Sequence, residues 1–149
     1  MYFIDRNKIN QTLEHMEDLL DLYKEKEEWK GSLLDSLALS RLAHVIVESI
    51  IDVGNTMIDG FIMRDPGGYE DIIDILEDER VITKEMTEPL KHVVNLRKMI
   101  VRNFINVDIN SIENTMNESM EALELFPGKV RYYLQNELGP VSAFLPEDK

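Results

Sequence analysis

The run Leu96-Arg97-Lys98-Met99-Ile100-Val101-Arg102-Asn103-Phe104 puts an arginine, Arg97, where a helix should be apolar. At about 100° per residue, Arg97 falls at the centre of a stripe formed by Met86, Leu90, Val93, Val94, Ile100, Val101 and Phe104. An unpaired guanidinium is costly to bury, so the fold must bring carboxylates to Arg97 or open a cleft beside it. With Lys91, Lys98 and Arg102 it makes the one local basic cluster of the chain. Such a group can hold phosphate, although a solvated helix face is the ordinary account of four basic residues this close. On a continuous α-helix Arg97 and Arg102 stand about 140° apart, so they converge only if the helix ends between them or a second copy supplies one of them.

The acids come from an earlier helix. Arg41, His44, Glu48, Asp52, Asn55 and Asp59 fall within roughly an 80° arc of a helical wheel. Leu42, Ala43, Val45, Ile46, Val47, Ile50, Ile51, Val53, Met57 and Ile58 cover the rest of that helix, a core element with one polar seam. Packing the seam against Arg97 satisfies both helices. Either Glu48 or Asp52 neutralises Arg97 as a structural ion pair while the other polar residues face water, or the seam and the basic cluster line a charged cleft. His44, the only histidine on the seam, is either a base for that cleft or a hydrogen-bond partner of Glu48 one turn along.

These elements belong to a chain of 149 residues, enough for one domain with a real core. A hydrophobic fraction of 44% excludes disorder, and 7 Gly with 5 Pro leave few turns, as long helices require. Cysteine is absent, which excludes disulfide and thiol chemistry and fits a reducing compartment. Met1-Tyr2-Phe3-Ile4-Asp5-Arg6 has neither the basic flank nor the apolar run of a signal peptide, and no uncharged apolar stretch of about 18 residues occurs. A soluble cytoplasmic protein, with no membrane partner, is expected. The formal charge of −13 repels nucleic acid over the surface as a whole, so any RNA must be met by a local basic cleft.

The helical periodicity predicts a first helix from Asp5 to Glu28 with Ile9, Leu13, Met16, Leu20 and Tyr23 inward. Trp29-Lys30-Gly31 breaks it, and Ser32-Leu33-Leu34-Asp35 reads as the cap of a second helix reaching about Ile58. Gly60 and Asp65-Pro66-Gly67-Gly68 mark a loop before a short helix from Tyr69 to about Glu79. Thr83 can cap a helix that carries Arg97 and ends near Phe104, and Asp108 or Asn110 can cap the last one. Pro127 should kink or divide that helix before Val130, Tyr133 and Leu134. The expected architecture is all-α, an up-and-down bundle of four long helices plus a short one, as a single domain over residues 1–138 with a tail over 139–149.

These features resemble the HepT-like proteins of the HEPN superfamily. The likeness runs from the Arg41–Asp59 helix through Asp65-Pro66-Gly67-Gly68-Tyr69-Glu70-Asp71-Ile72 to the Arg97 helix. It is sharpest in a closing motif of arginine, usually asparagine, three apolar residues, histidine, one more residue and tyrosine, then an aspartate opening the last helix. The frame here is Arg97, Lys98, Met99-Ile100-Val101, Arg102, Asn103, Phe104 and Asp108. A shifted frame beginning at Arg102-Asn103 puts Val107 and Ile109 at the histidine and tyrosine positions and restores neither. The resemblance implies a homodimer whose second and fourth helices form a composite cleft, where arginine and histidine cut RNA without a metal or other cofactor. It also implies a nucleotidyltransferase antitoxin that modifies the tyrosine. This sequence keeps the frame and changes the chemistry: Arg102 cannot act as a general base, because a guanidinium is not deprotonated at working pH, and Phe104 offers no hydroxyl.

The resemblance therefore leads to the expectation of a HepT-like protein with lost or weakened ribonuclease activity and a cleft for RNA or a nucleotide. Its expected residues are Arg97, Arg102 and Phe104, with Lys98, Arg41, His44, Glu48, Asp52 and Asn55 around them. An active toxin neutralised by an antitoxin, and a non-enzymatic dimeric regulator, are the alternatives. A magnesium pyrophosphohydrolase needs Glu-x-x-Glu and Glu-x-x-Asp on adjacent helices, whereas the core helix has Glu48 and Asp52 four apart. His15, His44 and His92 are scattered and do not make a zinc set.

Overall fold

Five α-helices follow one another: α1 (Arg6–Glu25), α2 (Leu33–Gly60), α3 (Tyr69–Asp78), α4 (Lys84–Arg97) and α5 (Ile109–Glu137). A π-helical turn, Lys98–Arg102, is attached to the end of α4. The computed structural model describes residues 4–137, and the expected 139–149 tail lies outside them.

Side-chain pairs fix the directions. Lys26 with Asp35 and Lys8 with Asp52 make α1 and α2 antiparallel. Glu70 with Asn95, Asp74 with Lys91 and Glu77 with Thr87 do the same for α3 and α4. Glu17 with Arg131 and Tyr23 with Asn117 set α5 against α1. The four long helices thus alternate up and down. Because the segment after α2 climbs back before α3 begins, α3 descends alongside α2.

The inward stripe of α1 is the expected one: Ile9, Leu13, Met16, Leu20 and Tyr23 are all buried. Ser32 caps α2, its Oγ accepting from the Asp35 N–H at 3.1 Å, and Asp108 caps α5 through the Ser111 N–H at 3.3 Å. Asn110, the alternative cap, lies inside α5 and accepts from Lys30 Nζ at 2.7 Å.

Several expectations are corrected. Helix α1 stops at Glu25 instead of Glu28, because the chain turns at Lys26 to lay buried Trp29 parallel to Tyr23, with ring centroids 6.0 Å apart. Ending before Glu27 and Glu28 also keeps two further acids off the negative end of the helix. Pro127 does not divide the last helix: α5 continues through it between buried Phe126 and buried Val130, so packing holds the two halves together. The apolar sides of α2 from Leu39 to Ile58 are buried within one chain, against α1, α3, α4 and α5. A second copy is not needed to cover them. The exposed leucines of α2 are confined to its start, at Leu33, Leu34 and Leu37.

The segment between α2 and α3 is clamped. Arg64 donates both terminal nitrogens to Asp71, at 2.7 and 2.9 Å, and the Gly67 N–H donates to the same carboxylate at 2.8 Å. Arg64 beside it, and then the Gly67 N–H, hold the Asp71 carboxyl down to about 2. Since an unfolded aspartate titrates at about 3.9, this stabilisation is complete above that pH and is lost as pH falls towards 2. A carboxyl NMR titration should therefore find the Asp71 midpoint well below the ordinary aspartate value of about 3.9, and Arg64→Ala should return it towards that value. A wild-type midpoint near 3.9 would show that the clamp does not form.

Candidate functional site

Arg97 is the last residue of α4, and Glu48 reaches it from the middle of α2. The Arg97 Nε–H donates to Glu48 Oε1 at 2.6 Å. That hydrogen bond raises the arginine's already high pKa, so it is a permanent cation. His44 Nε2 stands 3.8 Å from the same oxygen. The opposite neighbour was not foreseen: the Tyr69 ring packs against the guanidinium, 5.0 Å from its carbon to the ring centroid. The expected pairing of the α2 seam with Arg97 is therefore present. It is half-exposed, with 26% of the Arg97 and 44% of the Glu48 side chain open to solvent. It is worth about 1 kcal/mol or less, not the several that loss of one partner costs a fully buried pair.

The expectation that α4 stays α-helical to Phe104 is corrected. From Lys98 to Arg102 the backbone widens into a π turn, at whose end the Asn103 N–H is shared between Lys98 O at 3.3 Å and Met99 O at 3.1 Å. Bonding five residues back in place of four makes each turn wider, so five steps amount to little more than one revolution. Arg102 consequently comes round towards the side of Arg97, and the α-helical separation of about 140° does not apply. The two arginines meet in one chain. They line a hollow of about 280 Å³ with Tyr69, Val94, Asn95 and Lys98.

Phe104 leaves the expected core stripe for the same reason. It lies in the turn after the π segment, 69% exposed, beside Ile105 at 85%. Arg102, Asn103, Phe104, Ile105 and Asn106 form a second hollow of about 450 Å³. Arg102 is thus the wall common to both.

The charges in this region are unequal. Lys91 is drawn away to Asp74, at 2.8 Å, and Arg97 is matched by Glu48. Among the described residues neither Lys98 nor Arg102 has an ion-pair partner. The hollow is thus lined by three cations and no acid, on a chain of net charge −13.

The remaining seam residues lie elsewhere. Arg41, Glu48 and Asp52 line a groove of about 480 Å³ between α1 and α2, with Gln11, Thr12 and His15 opposite. Asn55 is exposed two turns beyond Glu48. The structure therefore divides the expected cleft into an α1–α2 groove and an α3–α4 hollow joined through Glu48. Among the described residues no three histidine, aspartate or glutamate side chains gather as a metal site, and no helix is long and apolar enough to cross a membrane.

Tyr69 is the residue that sequence reasoning missed. Its signal was an aromatic side chain directly after the Asp65-Pro66-Gly67-Gly68 turn, at the first position of a helix whose inward residues begin at Ile72. An aromatic that the core does not take is available to the surface beside it.

Comparison with known proteins bears on this arrangement. A family model described as ribonuclease HepT-like matches residues 9–130. A Bacillus subtilis (strain 168) protein named "Putative RNase YutE" is 46% identical over 144 residues, covering 97% of this chain and 99% of its own. The solved structure of YutE, described there as a cytosolic protein of unknown function, superposes with a TM-score of 0.90 over 97% of this chain and 100% of that one. A tri-AMPylated Shewanella oneidensis HEPN toxin in complex with an MNT antitoxin shares the fold, with a TM-score of 0.70 at 20% identity, over 89% of this chain and 99% of the toxin.

Proposed function

Since this chain belongs to the ribonuclease HepT-like family, we propose that it is a dimeric, cytoplasmic member whose RNA-cutting activity is lost or much reduced and whose cleft still holds RNA or a nucleotide. The observation that carries this is Arg102. An exposed guanidinium without an ion-pair partner stands where the family motif has its histidine. Cleavage of RNA through its 2′-hydroxyl needs a group that accepts a proton near neutral pH. Arg102 is a permanent donor and cannot serve. With Lys98 and Arg97 beside it, it can still hold a phosphate.

The dimer is supported by apolar side chains at one end of the bundle. Leu33, Leu34 and Leu37 are exposed on the first two turns of α2. The Lys30–Asn110 hydrogen bond ties the start of α2 to the start of α5 at that same end. Exposed apolar side chains clustered on one helix start are the pattern of a protein contact. The Shewanella toxin's MNT antitoxin supports a nucleotidyltransferase partner for this chain, while Phe104 cannot accept a transferred group as a tyrosine would.

One observation favours a second reading, an active endonuclease. His44 lies 3.8 Å from the carboxylate oxygen that holds Arg97, close enough to supply a base from α2. The assay is incubation of the purified full-length protein with RNA at neutral pH, with and without chelator, alongside light scattering. The expected outcome is a dimer mass and cleavage close to the protein-free background. Robust cutting abolished by His44→Ala would replace the first reading with the second, and a monomer at micromolar concentration would remove the dimer.

A further inference from the structure

Two aromatic rings flank the cations of the cleft, and the core takes up neither. Tyr69 is 43% exposed and Phe104 is 69% exposed. Tyr69 is nevertheless held in place. The Arg64–Asp71–Gly67 clamp fixes the first turn of α3, and the Arg97 guanidinium lies against its ring. A large ring fixed by polar contacts and left open to solvent is preorganised to receive a flat partner. Tyr69 walls the first hollow and Phe104 the second, while Arg102 walls both. The order across the surface is therefore aromatic, cation, aromatic.

We propose that this cleft takes single-stranded RNA in a defined step, with a phosphate on Arg102 and Lys98 and the adjoining bases stacked on Tyr69 and Phe104. The proposal rests on the reading that the cleft binds RNA, and it adds the conformation of the strand and the two residues that grip its bases. Bases in a duplex are stacked on each other and present no free face. Unpaired bases can be splayed on aromatic rings while cations follow the backbone. Stacking also explains how a chain of charge −13 could retain RNA with so few cations, since that part of the affinity does not depend on counterion release.

The test is fluorescence anisotropy of the full chain with labelled hexauridylate and hexaadenylate, at low and physiological salt. Tyr69→Ala and Phe104→Ala should each weaken binding about 5- to 150-fold, the range for losing one base stack. Tyr69→Phe and Phe104→Tyr should retain it, and a duplex of matched length should compete poorly. Both positions are exposed, so melting of the alanine variants should match wild type and exclude misfolding.

If Arg97→Ala and Arg102→Ala abolish binding while both aromatic truncations leave it unchanged, the stacking proposal is overturned and the phosphate cleft survives. If wild type binds neither oligonucleotide, the RNA-cleft reading itself is overturned. If Phe104→Ala leaves RNA affinity intact and instead converts a dimer to a monomer, Phe104 belongs to an interface between copies, and the two-ring step is wrong.

Discussion

Phe126→Ala should remove about 3–5 kcal/mol of folding stability, as truncation of a fully enclosed aromatic leaves a cavity that the surroundings fill only partly. Phe126 has 0% exposure and sits on α5 immediately before Pro127. At that point the helix lacks one backbone hydrogen bond and depends on packing for its continuity. A domain of this size holds only about 5–15 kcal/mol in total, so the variant should be close to its limit. The single tryptophan makes the measurement direct. Trp29 is buried against Tyr23 at the α1–α2 corner, and its fluorescence should report unfolding in urea. Phe126→Leu should lose considerably less. A loss under about 1 kcal/mol with an unchanged urea slope would mean that α5 is not anchored by this ring.

Gly54→Val should cost about 1–3 kcal/mol by overpacking, and should weaken the cleft as well. Glycine inside a helix is disfavoured by about 1 kcal/mol against alanine, so its presence in the middle of α2 needs a local cause. That cause is Ile72: a Cβ at position 54 would lie 2.5 Å from the Ile72 Cγ2. Helix α3 rests on this notch, and α3 carries Tyr69 one turn before Ile72. Pushing α3 outward should lift the Tyr69 ring from Arg97 while leaving the Arg97–Glu48 hydrogen bond in place. Adding Ile72→Ala to Gly54→Val should restore part of both losses, since it removes the clashing atoms. A Gly54→Val protein with wild-type melting and RNA affinity would show that the notch is not close-packed.

Much of this fold was written locally in the sequence. The α1 stripe, the cap at Ser32, a cap at Asp108 or Asn110 and the pairing of Arg97 with an α2 acid, Glu48 or Asp52, each follow from periodicity, a polar side chain before a helix, or the cost of a lone charge, and the structure selects Asp108 and Glu48. What escaped depends on contacts distant along the chain or on backbone phase. The early end of α1 is set by Trp29 folding back on Tyr23, and the continuity at Pro127 by its buried neighbours. The π turn was hidden because Met99, Ile100 and Val101 form an unbroken apolar triplet, wide enough to face the core with either four or five residues per hydrogen-bonded step. Tyr69 reaches Arg97 only because the segment after α2 climbs back along the bundle, a path that no periodicity encodes.

The wide turn at Lys98–Arg102 absorbs one residue of chain length without turning the second guanidinium away from the first. Remove one residue between Lys98 and Arg102 and the segment can relax into an ordinary helix, in which four steps of about 100° leave the two guanidinium groups within roughly 40° of each other. Straighten it at full length and the fifth step carries the second one about 140° away. A single-codon deletion there is therefore a neutral change in direction: it keeps every charge of the motif, whereas loss of the wide turn alone redirects the one that both hollows share.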